Sequence, residues 1–137
     1  MIVPTEDAEQ ARIFEWAFWA KGTMPELDML YAIPNGGYRS KATAGRMKAT
    51  GTKAGVPDMC LPVPRGRYHG LYIELKRQKG GTVSPAQKMW ILKLSEQGYL
   101  AKVCHGADEA IDLIKAYLDD VWRNKKDEQK PETDEDK

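Results

Sequence analysis

Two runs decide the fold: Gly55-Val56-Pro57-Asp58-Met59-Cys60-Leu61-Pro62-Val63 and Gly70-Leu71-Tyr72-Ile73-Glu74-Leu75-Lys76. Both are apolar enough to be strands, expected over about residues 56–63 and 70–76. The short turn around Arg65-Gly66-Arg67 between them predicts an antiparallel hairpin. Side chains two apart on a strand share a face, so Glu74 and Lys76 project together while Leu75 points into the core. The hairpin can bring Asp58 beside them, leaving two carboxylates and a lysine on one edge of a sheet. Carboxylate oxygens suit a hard divalent cation, and Mg²⁺ takes one or two of them while keeping waters. A lysine beside them can orient or deprotonate a water and hold a phosphate, the parts that phosphodiester hydrolysis needs. The plain alternative makes Glu74 and Lys76 the wet face of an amphipathic strand. Against it stand the apolar neighbours Met59, Cys60, Leu61, Leu71, Tyr72 and Ile73, among which a charge is costly without a purpose.

Outward from the hairpin, local punctuation sets the other elements. Thr5 can cap a helix with Glu6 and Asp7 in its first turn, Ile13, Trp16, Ala17 and Ala20 at helical spacing, and Lys21-Gly22 at its end. Residues 27–33 read as a short strand stopped by Pro34 and the turn Asn35-Gly36-Gly37. Ser40 starts a short basic helix that ends at Gly51. Ser84 and Pro85 open another helix, expected to bury Met89, Leu92 and Trp90 and to stop at Gly98. Residues 99–104 give a last core strand, and Asp108 is expected to cap a final helix with Ile111, Ile114, Leu118 and Trp122 on its apolar face. The predicted architecture is a mixed α/β domain over residues 1–122, with a disordered charged tail over 123–137, where no hydrophobic residue occurs.

Composition bounds the function. The 137 residues suit one compact domain, and 42% hydrophobic residues supply a normal core. No apolar run approaches the roughly 18 residues of a membrane span, and Met1-Ile2-Val3-Pro4 leads straight into acids, so neither a membrane partner nor a secretory signal is expected and the cytoplasm is the expected compartment. Cys60 and Cys104 make no disulfide framework, and no C-x-x-C suggests zinc. The net charge of +1 conceals an asymmetry: residues 38–80 hold ten bases against only Asp58 and Glu74. Such a basic middle implies a surface that faces a polyanion.

Several motifs in order resemble the virus-type replication-repair nuclease domain, the VRR-NUC family of the PD-(D/E)XK nuclease superfamily. They are Gly-Val-Pro-Asp at 55–58, Ile-Glu-Leu-Lys at 73–76, Ser84-Pro85-Ala86-Gln87 and Gln97-Gly98-Tyr99, with Ile33-Pro34-Asn35-Gly36-Gly37 and Leu61-Pro62-Val63-Pro64-Arg65-Gly66 similar to small stand-alone phage members. The resemblance runs from about Thr5 to Leu118. It implies a restriction-endonuclease-like core, a mixed sheet flanked by helices, and a Mg²⁺- or Mn²⁺-dependent deoxyribonuclease without a small-molecule cofactor. The family's aspartate, glutamate and lysine fall on Asp58, Glu74 and Lys76, and its glutamine on Gln87. The carbonyl of Met59 is implied as a further metal ligand. A first-helix glutamate that helps bind metal falls on Glu6 or Glu9; the spacing leaves both open and favours Glu6 slightly, one turn before Gln10. Stand-alone members imply a homodimer acting on branched DNA, four-way (Holliday) junctions in particular, and a phage or prophage origin. The tryptophan-rich first helix offers a dimer interface.

Phosphate contacts are expected from Arg39, Lys41, Arg46, Lys48, Lys53, Arg65, Arg67, Arg77 and Lys79. Tyr38 on its Gly-Gly loop suits stacking on an unpaired base, or is plain loop surface. His69 reads as a turn histidine, and Cys104-His105 is too sparse for zinc. Two rivals remain: a non-catalytic DNA-binding module on a degenerate nuclease fold, against which the intact Asp58, Glu74 and Lys76 count, and a site-specific restriction-type endonuclease.

Overall fold

The computed structural model describes residues 2–34 and 40–119. The elements follow the expected order: α1 (Glu6–Ala20), β1 (Tyr31–Ala32), α2 (Lys41–Ala49), β2 (Met59–Leu61), β3 (Leu71–Lys76), α3 (Pro85–Glu96), β4 (Leu100–His105) and α4 (Ala107–Leu118). They form a mixed sheet in the order β1-β2-β3-β4. The pairs β1/β2 and β2/β3 are antiparallel, whereas β3 and β4 run parallel through the α3 crossover.

Strand alternation divides the sheet into two faces. Leu71, Ile73 and Leu75 of β3 join Met59 and Leu61 of β2 in the main core, closed by Ile13 and Ala17 of α1 and Ala110, Ile114 and Tyr117 of α4. Tyr117 seals this layer by donating its hydroxyl proton to the Val63 carbonyl at 2.6 Å. The opposite face carries Tyr72, Glu74 and Lys76 and is covered in part by α3.

Four local expectations are corrected. The expected strand over 27–33 is a 3-10 turn at Pro25–Met29 followed by only Tyr31–Ala32, because Pro25 presets helical φ at the start of the segment. The strand expected over 56–63 shrinks to Met59–Leu61, bounded by Pro57 and Pro62, which lack the N–H a ladder needs. On α3, Met89 and Leu92 are exposed and Leu94 is the buried residue. Finally, Gly106 occupies the position before α4, and the first N–H of that helix is satisfied by Glu9 rather than by Asp108. Trp122 and the tail over 123–137 lie outside the described residues.

Candidate active site

Asp58 stands where β1, β2 and β3 meet. Its N–H donates to the Ile73 carbonyl at 2.9 Å, and its carbonyl accepts from the Ile33 N–H at 2.7 Å. The antiparallel register ends at Met59 opposite Ile73 and so brings Asp58, one residue before it, next to Glu74. Its Oδ2 accepts the Leu75 N–H at 2.7 Å, which fixes the carboxylate against β3.

Glu74 and Lys76 are 2% and 7% exposed, although both are charged residue types. Lys76 Nζ lies 3.6 Å from Glu74 Oε2, and Gln87 Nε2 donates to the same oxygen at 3.0 Å. Glu74 Oε1 is buried with no hydrogen-bond partner. Burial, then the Asp58 carboxylate and a hydrogen bond shared with it, push the Glu74 carboxyl up to about 8; Lys76 pulls the other way, and Glu6 adds slightly to the rise. The lysine therefore does not outweigh burial and the Asp58 carboxylate together. An orphaned carboxylate oxygen beside a second carboxylate fits a divalent cation that takes few protein ligands and keeps its waters. Among the described residues, no three His, Cys, Asp or Glu side chains form a complete cage.

Sequence features around α3 lock Gln87 in place. Ser84 caps the helix by accepting the Gln87 N–H, while Gln87 Oε1 accepts the Ser84 N–H at 2.8 Å. This capping box consumes the amide oxygen of Gln87 and leaves its NH₂ to donate to Glu74. The same helix touches the chain leading into Asp58: Trp90 Nε1 donates to the Ala54 carbonyl at 3.1 Å. Gly55, at φ +90°, lies so close to α3 that a Cβ would sit 2.7 Å from the Ala86 backbone. Likewise a Cβ on Gly81 would come within 2.9 Å of the Lys76 Cβ. Neither close approach was legible in the sequence, since each brings separate segments together. The S-x-x-Q spacing, by contrast, signals the capping box directly.

The two first-helix glutamates part company. Glu9 is fully buried: Oε1 accepts the Ala107 N–H at 3.0 Å, Oε2 accepts from Gln78 Nε2 at 2.7 Å, and Arg12 lies 3.4 Å from Oε1. Its oxygens thus hold α4 and the β3–α3 loop. Glu6 is exposed and near enough to the site to act on Glu74. Arg77 helps to place it, donating to the Val3 and Pro4 carbonyls at 2.7 and 3.1 Å just before the Thr5 cap.

The basic residues are spread more widely. Lys41, Arg46, Lys48 and Lys53 are exposed on and after α2, a helix with no buried residue. This insertion leaves the sheet after β1 and returns at Asp58, so it is anchored at the end that holds Glu74 and Lys76. Lys79 is exposed just beyond Lys76. Arg65 and Arg67 sit at the β2–β3 turn, at the opposite end of β3, about 17 Å along a strand of this length. There Arg65 donates to Glu26 and to the Leu118 carbonyl, and Arg67 lies over the Tyr68 ring. Tyr38 and Arg39 lie outside the described residues.

Comparison with known proteins identifies the family and the fold. The family model for the VRR-NUC domain matches residues 5–108. A solved structure described as a VRR_NUC domain protein superposes with a TM-score of 0.75 at 34% identity, covering 86% of this chain and 91% of that one. No curated protein matches the sequence. A family match over most of the chain, on a fold that also superposes, places the chain in the VRR-NUC family of nuclease domains.

Proposed function

We propose that this chain is a divalent-cation-dependent DNA endonuclease that acts on branched DNA, four-way junctions among its substrates, as a homodimer. The observation that carries the reading is Glu74: a buried carboxylate beside Asp58 whose Oε1 has no partner, on a chain of a nuclease family. Asp58, Glu74, the Met59 carbonyl and Glu6 would hold Mg²⁺ or Mn²⁺. Such an ion, when bound, supplies positive charge at the scissile phosphate and makes water a better nucleophile.

The chain's own residues do the positioning. The Leu75 N–H holds Asp58, and Gln87 with Lys76 holds Oε2 of Glu74, so both carboxylates are fixed before substrate arrives. Lys76 Nζ, nearly buried, can hydrogen-bond the attacking water and offset charge on the pentacovalent phosphorus. Lys41, Arg46, Lys48, Lys53 and Lys79 bind flanking phosphates, with Tyr38 and Arg39. Arg77 serves the site by anchoring the chain before Glu6. One small domain holds one such centre, whereas two-fold pairing presents two centres to two strands. Phe18 and Trp19 of α1, 58% and 75% exposed, offer an apolar surface for the second copy.

Labelled four-way junction, flap, splayed-arm and linear duplex DNA, each incubated with Mg²⁺, Mn²⁺ or EDTA, test this reading. The junction should be cut with either metal and not in EDTA. Cleavage that survives EDTA, or binding without cleavage under every condition, overturns it. Light scattering tests the dimer: a clean monomer that cuts both strands contradicts it.

A further inference from the structure

The face of the sheet that carries the carboxylates also carries two tyrosines that the chemistry above does not use. Tyr31 of β1 is the direct partner of Cys60 on β2, and Cys60 is the direct partner of Tyr72 on β3. Directly opposed residues share a face, as do alternate residues along a strand. The row Tyr31–Cys60–Tyr72 therefore lies on the same face as Glu74, one pleat further along. Two residues of strand span about 7 Å, close to the reach of one nucleotide from its phosphate to its base.

The two rings differ in exposure and in support. Tyr31 is 48% exposed and Tyr72 half-buried. Tyr72 is braced from the α3 side, its ring centroid 5.4 Å from that of Tyr99 at an interplanar angle of 79°. Tyr99 in turn meets His69 edge-on at 5.7 Å. Gly98 makes room for that imidazole, which a Cβ there would approach to 2.6 Å. The row Tyr31–Cys60–Tyr72 holds no acidic side chain to repel a phosphodiester. Its surroundings suit a polyanion: the exposed Lys41, Arg46, Lys48 and Lys53 belong to the insertion that returns to the sheet at Asp58.

We propose that Tyr72, with Tyr31 across Cys60, forms a subsite that stacks one unpaired nucleobase of the DNA strand whose phosphate lies at Asp58 and Glu74. The proposal rests on the nuclease reading above and adds to it a source of substrate choice. In continuous duplex the bases stack on each other, whereas a nucleotide at a branch point offers a free face to an aromatic ring. Because every base has a π face, the subsite selects for an unpaired nucleotide and not for sequence.

The test uses the full chain in EDTA, so that binding is read without cutting. The probe is splayed-arm DNA with 2-aminopurine as the unpaired base at the branch, compared with the same base inside linear duplex. The native chain should quench the unpaired 2-aminopurine on binding. Tyr72→Ala should bind the splayed arm about tenfold more weakly, within the range for loss of one base–aromatic stack, lose the quench, and bind duplex as before. Tyr72→Phe keeps the ring and should keep both affinity and quench. Tyr31→Ala, at an exposed edge position that does not threaten folding, should show a smaller loss with the same selectivity. Unchanged binding by both alanine variants, or an equal loss on both DNAs, overturns the subsite. Failure of the nuclease reading shows separately, as a native chain that cuts no DNA with Mg²⁺; a chain that cuts DNA while its tyrosine variants bind normally loses the subsite alone.

Discussion

Glu74 gives the molecule a pH dependence around neutrality. Burial first, then Asp58, pushes its carboxyl up to about 8 in the folded chain, against an ordinary value of 4.5, so the folded chain holds this proton more tightly than the unfolded chain does. The sign follows: this contribution to stability is complete below about 4.5 and is lost as pH rises through about 8. Without divalent cations, the urea midpoint of the native chain should therefore fall across that window, and Glu74→Gln should flatten the fall. An equal fall in the variant would assign the effect to another group. Lys76 yields a second prediction: Lys76→Ala should abolish cleavage and leave junction binding largely intact, measured by gel shift in EDTA. Loss of binding instead would make Lys76 a phosphate anchor. Asp58, Glu74 and Lys76 were legible because strand alternation is a short-range rule. Spacing favoured Glu6 over Glu9 only slightly, since a separation of three puts both on nearly the same helix face. Only the docking of α4 decides which of them is buried.

At the scale of elements, α3 shows where periodicity stops being informative. Met89, Trp90, Ile91, Leu92 and Leu94 surround much of the helix with apolar side chains, so spacing alone selects no face. The fold buries Leu94 and leaves Trp90 and Ile91 half-buried. Leu94→Ala should accordingly cost about 2–5 kcal/mol, whereas Leu92→Lys should stay within about 0.5 kcal/mol, both read from denaturant midpoints. Equal costs would mean that the helix is turned otherwise. Three of the four expected caps were easier to read: Thr5, Ser40 and Ser84 each accept a backbone N–H three residues on, a bond settled within one turn, whereas Asp108 does not cap α4. The Ser84 cap also bears on the site. Ser84→Ala should cost about 1 kcal/mol of stability and, by freeing Gln87, lower the cleavage rate as well. A stability loss with an unchanged rate would detach the capping box from the chemistry.

Across the whole molecule, two layers carry different duties. α1 and α4 pack on one face of the sheet and are joined by the buried Glu9, which bonds the first N–H of α4 and Gln78 of the β3–α3 loop. The other face holds the carboxylates, with α3 over part of it. No helix among the described residues is long and apolar enough to cross a membrane. The mixed α/β architecture was legible from element order, but the splitting of the basic segment was not. Sequence proximity grouped Arg65 and Arg67 with Lys41 to Lys53, whereas the hairpin carries those arginines to the far end of β3. Replacing Lys41, Arg46 and Lys48 together by Gln should weaken junction binding and reduce its log–log salt slope by about 0.9 for each phosphate that is no longer neutralised. An unchanged slope would remove α2 from the DNA interface.

The chemistry proposed for this fold requires one cation between two carboxylates. A crystal of the full chain, soaked in Mn²⁺ and measured at an anomalous wavelength, locates that cation if it is there. The expected peak is bound by Asp58 and by Oε1 of Glu74, the oxygen left without a partner. Manganese bound elsewhere with nothing between these two side chains, or Asp58 and Glu74 turned apart, would contradict it.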